Sequence, residues 1–117
     1  MEAITPKLFI TSADEPWEAP ADGILRQILG YDDQLMMVRV VFRKGAIGYE
    51  HRHPHRQVTL VESGSFEVTI DGEKRALKAG DSYFIPPEVP HGATALEDGV
   101  LVDVFAPMRE EFVRPSK

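Results

Sequence analysis

The sequence predicts an all-β protein built as one antiparallel, jelly-roll β-barrel domain over residues 1–117. Short apolar segments are separated by turns, and no apolar period of 3.6 residues persists through three helical turns. A chain of 117 residues suits one domain, because folding at this size buries roughly two-thirds of the unfolded chain's surface. Asp71-Gly72 is a strong hairpin signal, since both central positions of a type I′ turn need positive φ. Many short antiparallel strands with frequent turns suit a sandwich or a barrel, and a jelly roll is one way to leave few open edges.

Eight strands are expected in chain order. They cover residues 23–29, 35–43, 57–63, 65–70, 73–77, 82–85, 92–97 and 100–105. The Asp71-Gly72 turn joins the fourth strand to the fifth, and Glu97-Asp98-Gly99 marks a second tight turn.

Two of these strands are apolar on both faces. Val58 and Leu60 point to one side of the third strand, and Thr59 and Val61 point to the other. In the second strand only Arg39 interrupts the apolar run. A sheet with one solvated face would alternate apolar and polar residues, so a further layer must cover the outer face.

An N-terminal arm, residues 1–20, is the candidate for this layer. Its large apolar residues are Leu8, Phe9, Ile10 and Trp17. The arm would cover the outer face either within one chain or by exchange across a homodimer, and we favour the homodimer.

Composition excludes several classes of partner. The 19 acidic and 13 basic residues give a net charge of -6, with no basic block to neutralise a nucleic-acid backbone. Without cysteine, a metal could be held only by histidine, carboxylate or amide groups. No segment approaches the roughly 18 apolar residues of a membrane span, and the N-terminus lacks the apolar core of a signal peptide. We therefore expect no nucleic-acid or membrane partner and a cytoplasmic location.

Three of the four histidines lie close together and indicate a metal centre. His51, His53 and Gln57 share strand parity, so their side chains can converge on one face. His91 follows a proline-stiffened turn that would return its imidazole to the same barrel mouth. These four residues are the predicted ligands of one divalent ion, for which zinc, nickel, iron and manganese are all suitable. A polar surface loop that binds no metal is the alternative interpretation.

The spacing of these residues resembles the two motifs of the cupin family. The motifs read Gly45-x5-His51-x-His53-x3-Gln57-x6-Gly64 and Gly80-x5-Pro86-x4-His91. The resemblance implies a cupin jelly-roll β-barrel and the same four ligands. His55 has the parity of the ligands and could compete for a coordination place, but the cupin pattern leaves it out.

The chain departs from the cupin pattern at three places. Gln57 replaces the usual glutamate ligand, Pro86-Pro87-Glu88 replaces the PxG of the second motif, and Ala95 replaces its terminal asparagine. Three imidazoles and a neutral amide leave the charge of a divalent ion uncompensated. Such a site should favour an anionic ligand and act as a Lewis acid.

A second group of candidate residues follows the second motif. Asp103 is the only charge in an apolar strand, and a buried carboxylate is costly unless it is paired or used. One interpretation is a structural ion pair between Asp103 and a cation such as Arg109. The other is that both residues line the metal's cavity, where Asp103 exchanges protons and Arg109 binds a carboxylate through both prongs of its guanidinium.

Three longer runs resemble the KdgF family of bacterial pectin-degradation cupins. They are LMMVRVVFRKGAIGYEHRHPHRQ, GEKRALKAGDSYFIPPEVPHG and VDVFAPMREEF. The resemblance implies metal-dependent conversion of 4,5-unsaturated uronate monosaccharides, released from pectin or alginate, to linear 4-deoxy-5-keto uronate. This is an isomerase- or hydratase-like reaction on a small acidic sugar. The resemblance also implies that Asp103 and Arg109 are catalytic and that Phe105 and Arg109 bind the substrate.

Two other functions fit the sequence. One is a non-catalytic module that binds sugar acids, although no DNA-binding segment of the kind that many sensors carry is expected here. The other is a small three-histidine dioxygenase, which Gln57 and Asp103 do not specially favour.

Overall fold

A computed structural model describes residues 3–114, which contain ten β-strands and two short helices. The strands are β1 (Trp17–Ala21), β2 (Ile24–Asp32), β3 (Leu35–Phe42), β4 (Ile47–His51), β5 (Arg56–Ser63), β6 (Ser65–Ile70), β7 (Glu73–Lys78), β8 (Ser82–Ile85), β9 (His91–Ala95) and β10 (Gly99–Ala106). A 3₁₀ helix spans Ser12–Asp14, and α1 spans Glu110–Val113. The predicted all-β class is confirmed.

The strands form two antiparallel sheets that face each other. The larger has the order β1-β2-β3-β10-β5-β8 and the smaller the order β4-β9-β6-β7. Within residues 3–114 no strand pairing joins one sheet to the other, so the predicted antiparallel jelly roll is present but its sheets are not closed into a barrel. The jelly-roll arrangement holds nonetheless, because two packed sheets bury their inner faces without closure.

All eight predicted strands are present, with ends that differ by up to a few residues, but β1 and β4 were missed. Strand β1 contains Pro20, which argues against a central strand and is tolerated here because β1 lies at a sheet edge. Strand β4 contains Gly48, a residue that is depleted in strands. The hairpin prediction is confirmed, since Asp71 and Gly72 have φ of 50° and 83° between β6 and β7.

The alternation predicted for β5 is the one observed. Thr59 and Val61 are fully buried between the sheets, whereas Val58 and Leu60 are 42% and 45% exposed on the outer face. The inner face carries the main core, which consists of Ile24, Phe42, Val61, Phe66, Val68, Ala95 and Leu101. An apolar outer face on the six-stranded sheet is therefore left without cover over β5 within the described chain.

The N-terminal arm covers only the β2 side of that outer face. Gln27 is fully buried there, and its amide nitrogen donates to the carbonyl oxygens of Ser12 and Glu15 at 2.7 and 3.2 Å. Leu8 and Phe9 remain 83% and 91% exposed. Residues 1–2 of the arm lie outside the described residues.

The helices within residues 3–114 are short. The longest helix there has four residues, and none has the length and apolar character needed to cross a bilayer.

Candidate metal centre and active site

A cavity of about 270 Å³ lies between the two sheets and receives side chains from both. The four-stranded sheet contributes His51 and His91, and the six-stranded sheet contributes Gln57 and Asp103. Apolar side chains such as Val38, Phe42 and Leu101 also line it. Its volume falls just below the usual range for drug-sized ligands, which suits a single sugar ring.

His51 and His91 are held opposite each other by strand pairing. They are direct partners in the β4–β9 ladder, with ring centroids 4.4 Å apart. A Cβ atom at Gly92 would lie 2.8 Å from the carbonyl oxygen of Gly48, so only glycine allows the two strands this close. The backbone itself therefore sets the spacing of these two imidazoles.

Hydrogen bonds fix how these two rings are turned. Nδ1 of His51 lies 2.9 Å from the carbonyl oxygen of Tyr49, and Nδ1 of His91 lies 2.8 Å from that of Val89. Each Nδ1–H donates to its carbonyl, which leaves Nε2 of each ring with its lone pair free. In metal sites, a hydrogen bond from the nitrogen that does not bind the metal orients the histidine ring.

His53 and Gln57 complete the cluster. The candidate donor nitrogens of His51, His53 and His91 all lie within 4.8 Å of one another. Nε2 of His53 is 3.1 Å from Oε1 of Gln57. Ligand bonds of about 2.1 Å at right angles would place two donor atoms about 3 Å apart, which matches this separation.

These residues fit a divalent metal ion. Nε2 of His91 is buried and has no hydrogen-bond partner within residues 3–114, although a buried polar atom normally has one. Burial lowers the pKa of His91 to about 4 and also lowers the pKa of His53. Both rings are therefore neutral at physiological pH, as a metal ligand must be.

Asp103 lies beside this cluster in a chain of buried polar groups. The Thr59 hydroxyl donates to Oδ1 of Asp103 at 2.6 Å, and Nε2 of Gln57 donates to the Thr59 oxygen at 2.9 Å. A longer contact of 3.4 Å joins Nε2 of Gln57 to the same carboxylate oxygen. Burial raises the pKa of Asp103 to about 6, against the opposing effect of the Thr59 hydrogen bond. Such a carboxyl can both give and take a proton near neutral pH.

Arg109 lines the same cavity and lies among aromatic rings. Its guanidinium carbon lies 5.2 Å from the Phe105 ring centroid and 4.6 Å from that of Phe112. Its ion-pair partner is Glu111, at 3.1 Å. Within residues 3–114 no salt bridge joins Arg109 to Asp103, although the positive charge of Arg109 acts to lower the pKa of Asp103.

His55 stays outside the cluster of donor nitrogens. Its ring packs against His53 and Phe105, with centroids 5.2 and 6.4 Å away. Burial lowers its pKa, and its Nδ1 has no hydrogen-bond partner within residues 3–114.

Sequence reasoning missed four residues that shape this site. They are Arg26, Thr59, Tyr83 and Phe112. The signal for Arg26 was present, because it has the same strand parity as the buried Ile24. No periodic signal identifies Phe112, which follows the last strand on a helix of only four residues.

Similarity to known proteins identifies the family to which this chain belongs. The cupin domain family matches residues 38–105, a segment that contains all four candidate ligands. Over 102 residues the chain is 51% identical to the pectin degradation protein KdgF of Dickeya dadantii (strain 3937), a match that covers 86% of this chain and 93% of that protein. The chain therefore belongs to the cupin family and, within it, to the KdgF group.

Solved structures agree with this assignment. An RmlC-like cupin from Shewanella frigidimarina NCIMB 400 is 44% identical, with a TM-score of 0.88 over 91% of this chain and 96% of that one. KdgF from Halomonas sp. is 39% identical, with a TM-score of 0.86 over 91% and 98% of the two chains. The resemblance predicted from the motifs is confirmed.

Proposed function

We propose that this protein converts 4,5-unsaturated uronate monosaccharides to linear 4-deoxy-5-keto uronate in a metal-dependent reaction. The observation that carries the proposal is that one cavity is lined by His51 and His91 of the histidine cluster, the buried carboxyl of Asp103 and the guanidinium of Arg109. Identity of 51% to a protein named for pectin degradation supports this substrate class over other sugar acids.

Asp103 would carry the proton in this reaction. Water adds across the bond between carbons four and five, which places a proton on carbon four and a hydroxyl on carbon five. The resulting hemiketal opens when the bond from carbon five to the ring oxygen breaks and the hydroxyl proton passes to that oxygen, which leaves a ketone at carbon five. The hydrate left at carbon one then loses water to give the aldehyde, so no water is consumed overall. Substrate and product are isomers, so no oxidant or reductant is required. Oδ2 of Asp103, the carboxylate oxygen not bonded to Thr59, would deliver the proton and later recover one.

The remaining residues would hold the sugar in place. Arg109 would bind the uronate carboxylate through its two-pronged guanidinium, and Phe105 would pack against the sugar ring. His51, His53, Gln57 and His91 would hold the divalent ion, whose chemical contribution is Lewis acidity toward an oxygen of the substrate.

One assay tests this proposal against its competitors. Purified protein loaded with zinc, nickel, iron or manganese is mixed with unsaturated galacturonate while ultraviolet absorbance and dissolved oxygen are followed. The expected result is faster loss of the unsaturated chromophore, relative to a sample without protein, at constant oxygen. Oxygen uptake would indicate a dioxygenase, and tight binding with an unchanged chromophore would indicate a non-catalytic module.

We also propose that two copies form a homodimer through the outer face of the six-stranded sheet. The large apolar residues exposed there are Leu35, Met37, Val58, Leu60 and Phe84. A contiguous apolar surface of this kind marks an interaction site. Light scattering should give twice the 13.1 kDa chain mass at micromolar concentration, and Val58→Lys should return it to 13.1 kDa. A wild-type mass of 13.1 kDa would refute the dimer. The cytoplasmic location stays a prediction.

A further inference from the structure

Arg26 places a second guanidinium in the cavity. It lies on β2 opposite Val40 of β3, and both residues line the cavity. The side chain is 19% exposed, so it is largely removed from water. An arginine on the inner face of a β-sheet is costly unless its donors are used.

The partners of Arg26 leave part of its hydrogen-bonding capacity free. Its Nη2 donates to Glu18 at 3.2 Å, a carboxylate that is 42% exposed at the edge of the sheet. Its Nε is buried and has no hydrogen-bond partner within residues 3–114. A guanidinium has five N–H donors, and a buried donor left unpaired is unfavourable.

The Phe112 ring contacts both Arg26 and the proposed substrate-binding residues Arg109 and Phe105. The guanidinium carbon of Arg26 lies 3.9 Å from the Phe112 ring centroid, and that of Arg109 lies 4.6 Å from the same centroid. Phe112 also packs edge-on against Phe105, with centroids 6.0 Å apart. The positive charges of Arg26 and Arg109 repel each other, since both guanidinium groups lie at the Phe112 ring. Ligand oxygen atoms bound to the two guanidinium groups would offset that repulsion.

We propose that Arg26 is a second substrate-binding residue, which holds the hydroxyl oxygens at carbons one and two of the uronate while Arg109 holds the carboxylate. The inference rests on the proposed function for the identity of the sugar. The assignment of ends follows from position. Arg109 lies near Phe105, whose ring centroid is 5.8 Å from that of His53. Arg109 therefore serves the end of the sugar where carbons four to six react. Arg26, two strands from β10, serves the opposite end.

The test compares Arg26→Met with Arg39→Met. Methionine keeps the length and apolar stem of the side chain and removes the charged donors. Arg39 lies on the adjacent strand but points to the outer face, where it pairs with Glu62 at 3.6 Å. We expect Arg26→Met to raise KM for unsaturated galacturonate at least tenfold with kcat changed less than threefold. Arg39→Met should leave both constants within twofold of wild type.

Direct binding separates this inference from the proposed reaction. The dissociation constant of D-galacturonate, a saturated analogue, is measured by calorimetry on the same proteins, and their melting temperatures are recorded. Weaker binding in Arg26→Met supports the inference even if wild type fails to convert the unsaturated sugar, a result that would overturn only the proposed reaction. An unchanged KM and dissociation constant in Arg26→Met would overturn the role of Arg26 and leave the reaction intact. If Arg26→Met does not fold, Arg26→Lys replaces it in both measurements, because lysine keeps the charge and loses the fork.

Discussion

The Thr59 hydroxyl donates a hydrogen bond of 2.6 Å to Oδ1 of Asp103, although the two residues are 44 positions apart in the sequence. The same oxygen accepts a hydrogen bond from the amide of Gln57, which turns Oε1 of that amide toward His53. One hydroxyl therefore connects the proposed proton carrier to the proposed neutral ligand. A side-chain amide can rotate to present either its oxygen or its nitrogen, so this contact decides which of the two would face a bound metal ion.

Replacing Thr59 tests this connection. Thr59→Val keeps the shape of the side chain and removes the hydroxyl, so Gln57 and Asp103 each lose a hydrogen bond. We expect kcat to fall about tenfold or more, equivalent to about 1.4 kcal/mol of lost stabilisation, and the metal dissociation constant of the chelator-treated protein to rise. Thr59→Ser, the matched control, should retain most of both properties. Equal kinetics and metal affinity in all three proteins would show that the hydroxyl only fills space.

Asp103→Asn should separate stability from activity. In the metal-free protein the folded pKa of Asp103 is about 6, above its ordinary value of 3.8, so the folded state favours the protonated form. The resulting stabilisation is complete below about pH 4 and is lost as the pH rises through 6. The Asn variant should therefore melt higher than wild type at pH 8 and about equally at pH 4. Its turnover should collapse, and wild-type turnover would remove Asp103 from the mechanism.

Arg109→Lys tests the proposed carboxylate contact. Lysine keeps the charge but loses the two-pronged geometry, so KM for the unsaturated uronate should rise more than kcat falls. Glu111→Gln is the comparison variant, because it removes the ion pair at 3.1 Å and keeps the guanidinium. We expect its KM to stay near or below that of wild type. If Arg109 were only a structural ion-pair residue, both variants would lose melting temperature and neither would change KM.

Removal of the metal should abolish turnover reversibly. Dialysis against a chelator should remove activity, and one equivalent of a suitable divalent ion per chain should restore it. His91→Ala should bind less than one ion per chain, because it removes a donor nitrogen that has no other partner within residues 3–114. His55→Ala should still bind one ion, since His55 lies outside the donor cluster. Full activity in metal-free protein would exclude metal dependence.

Strand alternation and turn chemistry were sufficient to predict much of this fold. The parity of Thr59 and Val61 against Val58 and Leu60 correctly separated inside from outside, because side chains in a strand alternate whatever the neighbouring strands are. Closure of the barrel could not be predicted in the same way. It depends on hydrogen bonds between the edges of different sheets, and the pattern within one strand does not determine which edges meet.

Part of the candidate site could also be predicted from the sequence, and part could not. His51, His53, Gln57 and His91 could be grouped from spacing and motif resemblance, and the structure brings them around one space. Contacts between distant segments were not predictable. Arg26 on β2 meets Phe112 near the end of the chain, and this pairing follows from packing of the whole fold.

The position of β10 in the large sheet gives the two halves of the cavity different local stabilities. Asp103 and Phe105 lie on this strand, which is paired on both sides by β3 and β5. Arg109 and Phe112 belong to a segment that ends in a helix of four residues, too short to persist without its side-chain contacts. Amide protons of β10 should therefore exchange with solvent among the slowest in the molecule, and those of 109–113 among the fastest. Local opening at this helix would let the proposed sugar enter and its product leave while Asp103, the proposed proton carrier, stays fixed in the central strand.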